Sequence, residues 1–275
     1  MTPVLVIAAK EFRDALRNRW IVASALLFAG MALALALLGS APVGTIEATS
    51  LAVTTVSLAS LSVYLVPLIA LMLAYDAVVG EVERGTLLLL LSHPVRRWQV
   101  LLGKFLGHTA ILTLALGVGY GSAGLLAAVG TGVTARDVSA LMALILSSIL
   151  LGAAFIALGY LISVSVRERA TAIGLAVGLW LAMVILYDLA LVGVLLADTK
   201  HLVGKDILTT AMLLNPADAF RVFNLSGFEA TRDTALFGGL GESDGTLATP
   251  ALLAMVGWLL AAGAIAFARF RSREF

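Results

Sequence analysis

The sequence predicts an all-α integral membrane protein, with six transmembrane helices in a single domain covering residues 1–275. Three observations point there. Hydrophobic residues make up 61% of the chain and charged residues only 13%, well beyond what a soluble core requires. Apolar runs of about 20 residues, the length that crosses a hydrocarbon core, recur along the chain. The segments between them alternate between rich and poor in Lys and Arg, as loops on opposite sides of a membrane do.

Residues 1–19 read as an amphipathic interfacial helix. Leu5, Ala8, Phe12 and Leu16 recur at helical spacing, while Lys10, Arg13, Asp14 and Arg17 occupy the other face. So long a charged face is more than a cleaved signal peptide carries. Spans are expected at Trp20 to Gly39, Leu51 to Tyr75, Phe105 to Gly130, Val138 to Ser163, Ala170 to Ala197 and Thr249 to Ala268. Of the 18 Lys and Arg residues, 13 fall on the side that holds both termini and residues 76–104, and five on the other. Positive charge prefers the cytoplasm, so both termini are expected inside a bacterial inner membrane and residues 198–248 outside it.

The segment 76–104 is the most informative. Asp76, Glu81, Glu83, Arg84, Arg96, Arg97 and Lys104 surround the continuously apolar Leu87 to Leu91, so the segment is expected at the membrane surface. It reads as a helix with charged first turns, a break at Ser92-His93-Pro94, and a second helix started by Pro94, where a missing N–H costs nothing. Two short helices meeting at a corner would form a rigid lever. A merely solvated loop would not require acids ordered ahead of an apolar stripe.

In the outer segment, Ile207, Ala211 and Leu214 share a helical face, Asn215-Pro216 breaks the helix, and Asp218 to Leu225 brings Phe220 and Phe223 together at i and i+3. Two short outer helices with apolar faces follow, expected to lie on the outer leaflet or to receive a partner through Asn215, Pro216, Asp218, Phe220, Arg221 and Phe223. The glycine-rich Gly238 to Gly245 returns the chain to the last span.

The composition also excludes function classes. A net charge of +1 and few, scattered aromatics give no nucleic-acid surface. With no cysteine, thiolate metal sites are excluded. His93, His108 and His201 fall in three different regions, and Met31, Met72, Met142, Met183 and Met255 fall one to a span, so no metal site is expected. No Gly-Lys-Ser/Thr phosphate loop, His-Glu-x-x-His helix or Gly-x-Ser-x-Gly turn is present. The chain is expected to have no catalytic residues and no bound cofactor.

Some polar residues sit inside the spans. Asp188 is the single acid there and needs a partner or water; an interfacial or helix-bonded carboxylate and a pathway residue both remain open. His108 is expected to bond between helices. Thr49, Ser50, Thr54, Thr55, Ser57, Ser60 and Ser62 suit cross-helix bonding better than a polar passage. Gly103/Gly107, Gly117/Gly121 and Gly174/Gly178 have the small-xxx-small spacing that permits close helix approach.

Gly80-Glu81-Val82-Glu83-Arg84-Gly85-Thr86-Leu87, Ser92-His93-Pro94-Val95 and Leu102-Gly103-Lys104 together resemble the signature of the type-2 ABC exporter permeases. That resemblance implies six helices and a cytoplasmic hairpin between the second and third. It also implies a separate cytoplasmic ABC ATPase subunit that holds the ATP and Mg, and pairing with a second copy of the chain. By resemblance, Glu81, Glu83, Arg84, Gly85, His93, Pro94, Arg96 and Arg97 belong to the ATPase-coupling region. Ala41-Pro42-Val43-Gly44, Ala74-Tyr75-Asp76-Ala77, His93 to Trp98 and Leu214 to Arg221 are similar to a narrower branch that serves maturation of the copper enzyme nitrous oxide reductase. This implies a periplasmic copper-binding subunit as a further partner. A proton-coupled secondary transporter using Asp188 and a passive membrane scaffold are the rival readings; the first should show repeats and broken midplane helices, which the sequence lacks.

Overall fold

The computed structural model describes residues 3–39, 50–129, 132–198, 204–225 and 247–273. The Ala41–Gly44 stretch, Thr49, His201 and the Gly238–Gly245 return lie outside the described residues. All regular structure among those described is helical: α1 (Pro3–Arg17), α2 (Arg19–Gly39), α3 (Ser50–Ala74), α4 (Val79–Glu83), α5 (Thr86–Leu91), α6 (Arg97–Ala128) and α7 (Ala135–Ser165) come first. They are followed by α8 (Arg169–Trp180), a π-helical turn (Leu181–Leu186), α9 (Tyr187–Ala197), α10 (Lys205–Leu213), α11 (Pro216–Leu225) and α12 (Ala248–Ser272).

Five stretches among the described residues are long and apolar enough to cross a membrane: Ser50–Glu83, Arg97–Ala128, Ala135–Ser165, Arg169–Ala197 and Ala248–Ser272. In α2, the stretch Leu26–Leu37 is apolar but shorter. The third span begins at Arg97, eight residues before the expected Phe105, because nothing in Arg97–Lys104 breaks a helix. The apolar Trp98, Val100, Leu101 and Leu102 simply continue it.

The most buried span is α7, which packs against α3, α6, α8, α11 and α12. Small residues permit this. A Cβ on Gly152 would meet Leu112 Cδ2 at 2.1 Å, and one on Gly159 would meet Ala74 Cβ at 2.6 Å, so α6 and α3 approach α7 at distances a larger residue would forbid. Polar groups inside the bundle are bonded across it: the Tyr120 hydroxyl contacts Ser62 of α3 and lies 3.2 Å from Ser148 Oγ of α7. Thr55 and Ser62 also donate to carbonyls one turn back. These hydroxyls serve packing, although Ser50 Oγ and Thr54 Oγ1 have no protein partner.

Helix α1 lies along α6. Its contact stripe is Ile7, Glu11 and Ala15, while Leu5 and Leu16 remain exposed. Gly103 and Gly107 of α6 make room for it: added Cβ atoms would fall 2.8 Å from Ile7 Cβ and 2.7 Å from the Ala8 carbonyl oxygen. Gly117, Gly121, Gly174 and Gly178 meet nothing within 4 Å, so among the described residues only one of the three small-xxx-small pairs seats a helix.

Candidate functional site: the polar cluster under the charged hairpin

The hairpin departs from the expected pair of helices. Gly85 takes φ 69°, a left-handed conformation that costs glycine little and other residues more, and this splits the first helix into α4 and α5. Pro94 does not start a helix. Arg96, in extended conformation, is the N-cap of α6, and its N–H donates to Gln99 Oε1 at 2.8 Å. The second arm of the hairpin is therefore the first turns of a 32-residue helix, not a separate short one.

Glu81, expected on the surface, is buried. Its Oε1 lies 2.8 Å from Lys104 Nζ, and the same ammonium lies 2.8 Å from Glu11 Oε1. Lys104 is 1% exposed, so a cation inside the protein joins α1, α4 and α6. Lys10 completes the rim at 3.1 Å from Glu11, 3.4 Å from Asp14 and 3.6 Å from Glu81. Burial would raise the Glu11 carboxyl, but the charge and hydrogen bond of Lys104 outweigh it and hold Glu11 below the usual carboxylate range. Deeper in, His108 Nε2 lies 3.7 Å from Glu11 Oε2, and His108 Nδ1 is hydrogen-bonded to the Tyr160 hydroxyl of α7 at 2.8 Å. The expected bond between helices is therefore present. A polar cavity of about 300 Å³ opens beside the cluster, lined by Asp14, Asp76, Arg84 and Arg169 among others.

The hairpin is also fastened from α7 and α8. Ser163 Oγ of α7 accepts from the backbone N–H groups of Val78 and Val79 at 3.0 and 3.1 Å. Two orphan donors at the start of α4 are thus satisfied by a hydroxyl 84 and 85 residues further along the chain. Glu83 is exposed and accepts from the Arg169 N–H at 2.7 Å, capping α8. Asp76 sits 3.0 Å from Arg169 Nε and 3.7 Å from Arg84 Nη1. Gly80 lacks a Cβ that would fall 1.9 Å from Asp76 Oδ1.

The exposed residues of the hairpin include Leu88, Leu89, His93, Pro94 and Arg96. His93 Nδ1 donates to the Leu89 carbonyl at 3.0 Å. Arg97 instead turns to α12: its Nη1 donates to the carbonyls of Phe270, Arg271 and Arg273 at 3.0, 3.0 and 2.7 Å, favourable for a cation at a helix C-terminus. Glu11, Lys104, Ser163 and Arg169 were not singled out from the sequence as site residues. Lys104, one turn inside an apolar run, was the available signal for the first pair.

A second polar constellation lies at the other end of the bundle. Pro216 is the first residue of α11, as its chemistry favours, but this helix does not lie on the surface. Asn215, Asp218, Phe220 and Arg221 are buried, and Phe223 packs partly buried against the core. The expected exposed docking face is therefore corrected: α11 packs between α3, α7 and α12. The reason is Asp188. Arg221 reaches it with two parallel bonds of 2.9 and 2.6 Å, and also reaches Asp218 Oδ1 at 2.9 Å. A carboxylate in a span needs a counter-charge, and α11 brings one. Among the described residues, an exposed apolar face lies on α10 and its C-cap, where Ile207 and Leu214 are exposed while Leu208 and Met212 pack inward.

The π-helical turn fits this junction. Met183, inside it, offers its carbonyl to Asn215 Nδ2, so the residue that breaks the chain between α10 and α11 also bonds the widened turn. One cation faces two acids here. Asp218 belongs to the short α11, not to a spanning helix. Its carboxyl is pushed up first by burial and then by the hydrogen bond and charge of Asp188, with Arg221 acting the other way. Asp218 Oδ2 has no protein partner.

Among the described residues, no group of three or more His, Cys, Asp or Glu is placed to hold a metal. The site offers ion pairs, helix caps and a left-handed glycine that together join α1, α4, α6, α7 and α8. Residues 5–275 match the ABC-2 family of transporter proteins, and the chain belongs to that family: it is an ABC transporter permease and a multi-pass membrane protein. Permeases of this family have no ATPase activity of their own. The chain is 47% identical to the probable ABC transporter permease protein NosY of Pseudomonas aeruginosa and 43% identical to that of Stutzerimonas stutzeri, each match covering 99% of both chains.

Proposed function

We propose that this chain is the membrane subunit of a NosY-type transporter that passes ATP-driven motion from a cytoplasmic NosF-like ATPase to a periplasmic NosD-like copper-binding subunit, in service of copper-site maturation in nitrous oxide reductase. The observation that carries the coupling role is Lys104 held between Glu11 and Glu81. This buried ion pair makes α1, α4 and the start of α6 one body, so a push on the outward Leu88, Leu89, His93 and Arg96 is transmitted into a full span. Arg97 extends the body to the end of α12. The ATP and Mg belong to the partner, and Glu83, Arg84, Gly85 and Pro94 complete the coupling region.

In this reading α2 is the sixth span, both termini and residues 76–104 are cytoplasmic, and α10 with its exposed Ile207 and Leu214 faces the periplasm. Two copies of the chain pair with two ATPases. The bidentate pairing of Asp188 with Arg221 favours this over a proton-coupled transporter titrating Asp188. The test is co-expression with the ATPase and periplasmic subunits, followed by co-purification and ATPase assay. Arg96→Glu, on the outward surface, should weaken ATPase association and leave the permease folded. Full association and wild-type coupling in that variant would overturn the assignment of this face.

A further inference from the structure

A groove of about 480 Å³ runs between α6 and α12, within the size range of about 300–1,000 Å³ typical of ligand sites. Both helices pack on α7 but touch each other only sparingly. The walls are Trp98, Leu102 and Phe105 on one side and Leu260, Gly263 and Phe267 on the other, with Tyr160 lining it as well. Nearly everything facing the groove is apolar, and Trp98, Leu102 and Leu260 remain exposed. In a multi-pass protein such an opening faces acyl chains, not water.

The end of the groove is basic. Arg271 is exposed and sits four and eight residues beyond Phe267 and Gly263, which continues the same helical face. Arg97 adds a second cation at that end, where it bonds the last carbonyls of α12, while Arg269 and Arg273 turn to the end of α7, donating to Ser165 Oγ at 3.4 Å and the Val164 carbonyl at 2.8 Å. Carbonyl dipoles at the end of α12 would repel an anion, but those of Phe270, Arg271 and Arg273 are already bonded by Arg97. The same bonds fix the Trp98 wall relative to Arg271. Trp98 stands at the junction of the apolar and basic parts, where amphipathic aromatics favour the headgroup level.

We propose that this groove binds an anionic phospholipid, with an acyl chain between α6 and α12 and the phosphate beside Arg271. Basic pockets between membrane helices select anionic headgroups in this way. The lipid would act as a wedge against the joint where α6 meets α12, independently of the coupling role proposed above.

The experiment is native mass spectrometry of the full chain released from nanodiscs made of palmitoyl-oleoyl phosphatidylglycerol and phosphatidylcholine in equal amounts. The wild-type protein should retain the glycerol lipid preferentially. Arg271→Gln should weaken that preference about fivefold, the worth of one cation near an anionic surface. A Cβ on Gly263 meets nothing within 4 Å, so Gly263→Leu should fold, fill the groove and abolish retention of both lipids. Gly117→Leu, at another open glycine, should leave retention unchanged. Equal retention of the two lipids by wild type, or an unaltered preference in Arg271→Gln, would overturn the anionic assignment without depending on any core substitution. Retention surviving in Gly263→Leu would overturn the location. Disulfide crosslinking of Leu260→Cys between copies in native membranes would mean that a second chain, not lipid, covers the groove.

Discussion

Lys104 and Glu81 meet at 2.8 Å inside the protein, although Glu81 belongs to a hairpin that the sequence places at the membrane surface. Removing one partner of a buried pair costs about 3–5 kcal/mol. The loss at Glu81→Ala should fall at the low end, because Glu11 still faces the ammonium at 2.8 Å. Lys104→Met should be worse, since it leaves two buried carboxylates facing each other. Glu83→Ala removes only an exposed cap on α8 and should cost about 1 kcal/mol. Thermal unfolding of the three purified variants gives the order. A Glu83 variant less stable than the Lys104 variant would contradict it.

Ser163→Ala should loosen the hairpin specifically. It deprives the N–H groups of Val78 and Val79 of their acceptor, and an unsatisfied buried donor costs about 1–3 kcal/mol. Hydrogen exchange should accelerate in residues 78–83 and not in α12. Uniform acceleration across the chain would show that the substitution acts by general destabilisation.

The acids at opposite ends of the bundle should give opposite pH dependences. Asp218 is raised from 3.8 to about 8, so between those values the folded state binds more protons than the unfolded state. Its contribution to stability therefore declines as pH rises through that window. Glu11 is held below 4.5, so its contribution is present above that value and is lost as pH falls through its lowered folded value. Asp218→Asn keeps the neutral, hydrogen-bonding form and should flatten the decline between pH 5 and about 8, raising the unfolding temperature at the alkaline end. A parallel pH profile in wild type and variant would remove the basis for this assignment.

Gly107→Leu should displace α1 from α6, because even a Cβ would fall 2.7 Å from the Ala8 carbonyl oxygen. Increased protease cleavage within residues 3–17 is the expected signal. The same change at Gly121, which meets nothing within 4 Å, should have no such effect. Equal cleavage in both variants would mean that the close approach is not what seats α1.

Single cysteines test orientation, because the chain has none of its own. Ser92→Cys should resist a membrane-impermeant thiol reagent in intact cells, and Val133→Cys should react. The reverse pattern would invert the proposed topology.

The sequence alone determined that this is a helical membrane protein, where most of its long apolar stretches run, and that the chain breaks at Ser92-His93-Pro94 and before Pro216, because apolar run length and backbone chemistry are local properties; the further break at Gly85 came only with the structure. The signature from Gly80 to Lys104 was legible in the same way. What surrounds each charge was not. Glu81 and Arg221 look like surface residues in one dimension and are buried in three, because their partners, Lys104 and Asp188, stand 23 and 33 residues away along the chain. Ser163 looks like one hydroxyl among many until α7 brings it to the start of α4. Equally, three glycine pairs share one spacing, yet among the described residues only Gly103 and Gly107 receive a helix. Burial and pairing are decided by which helices meet, and that is fixed only when α7 and α6 gather their neighbours around them.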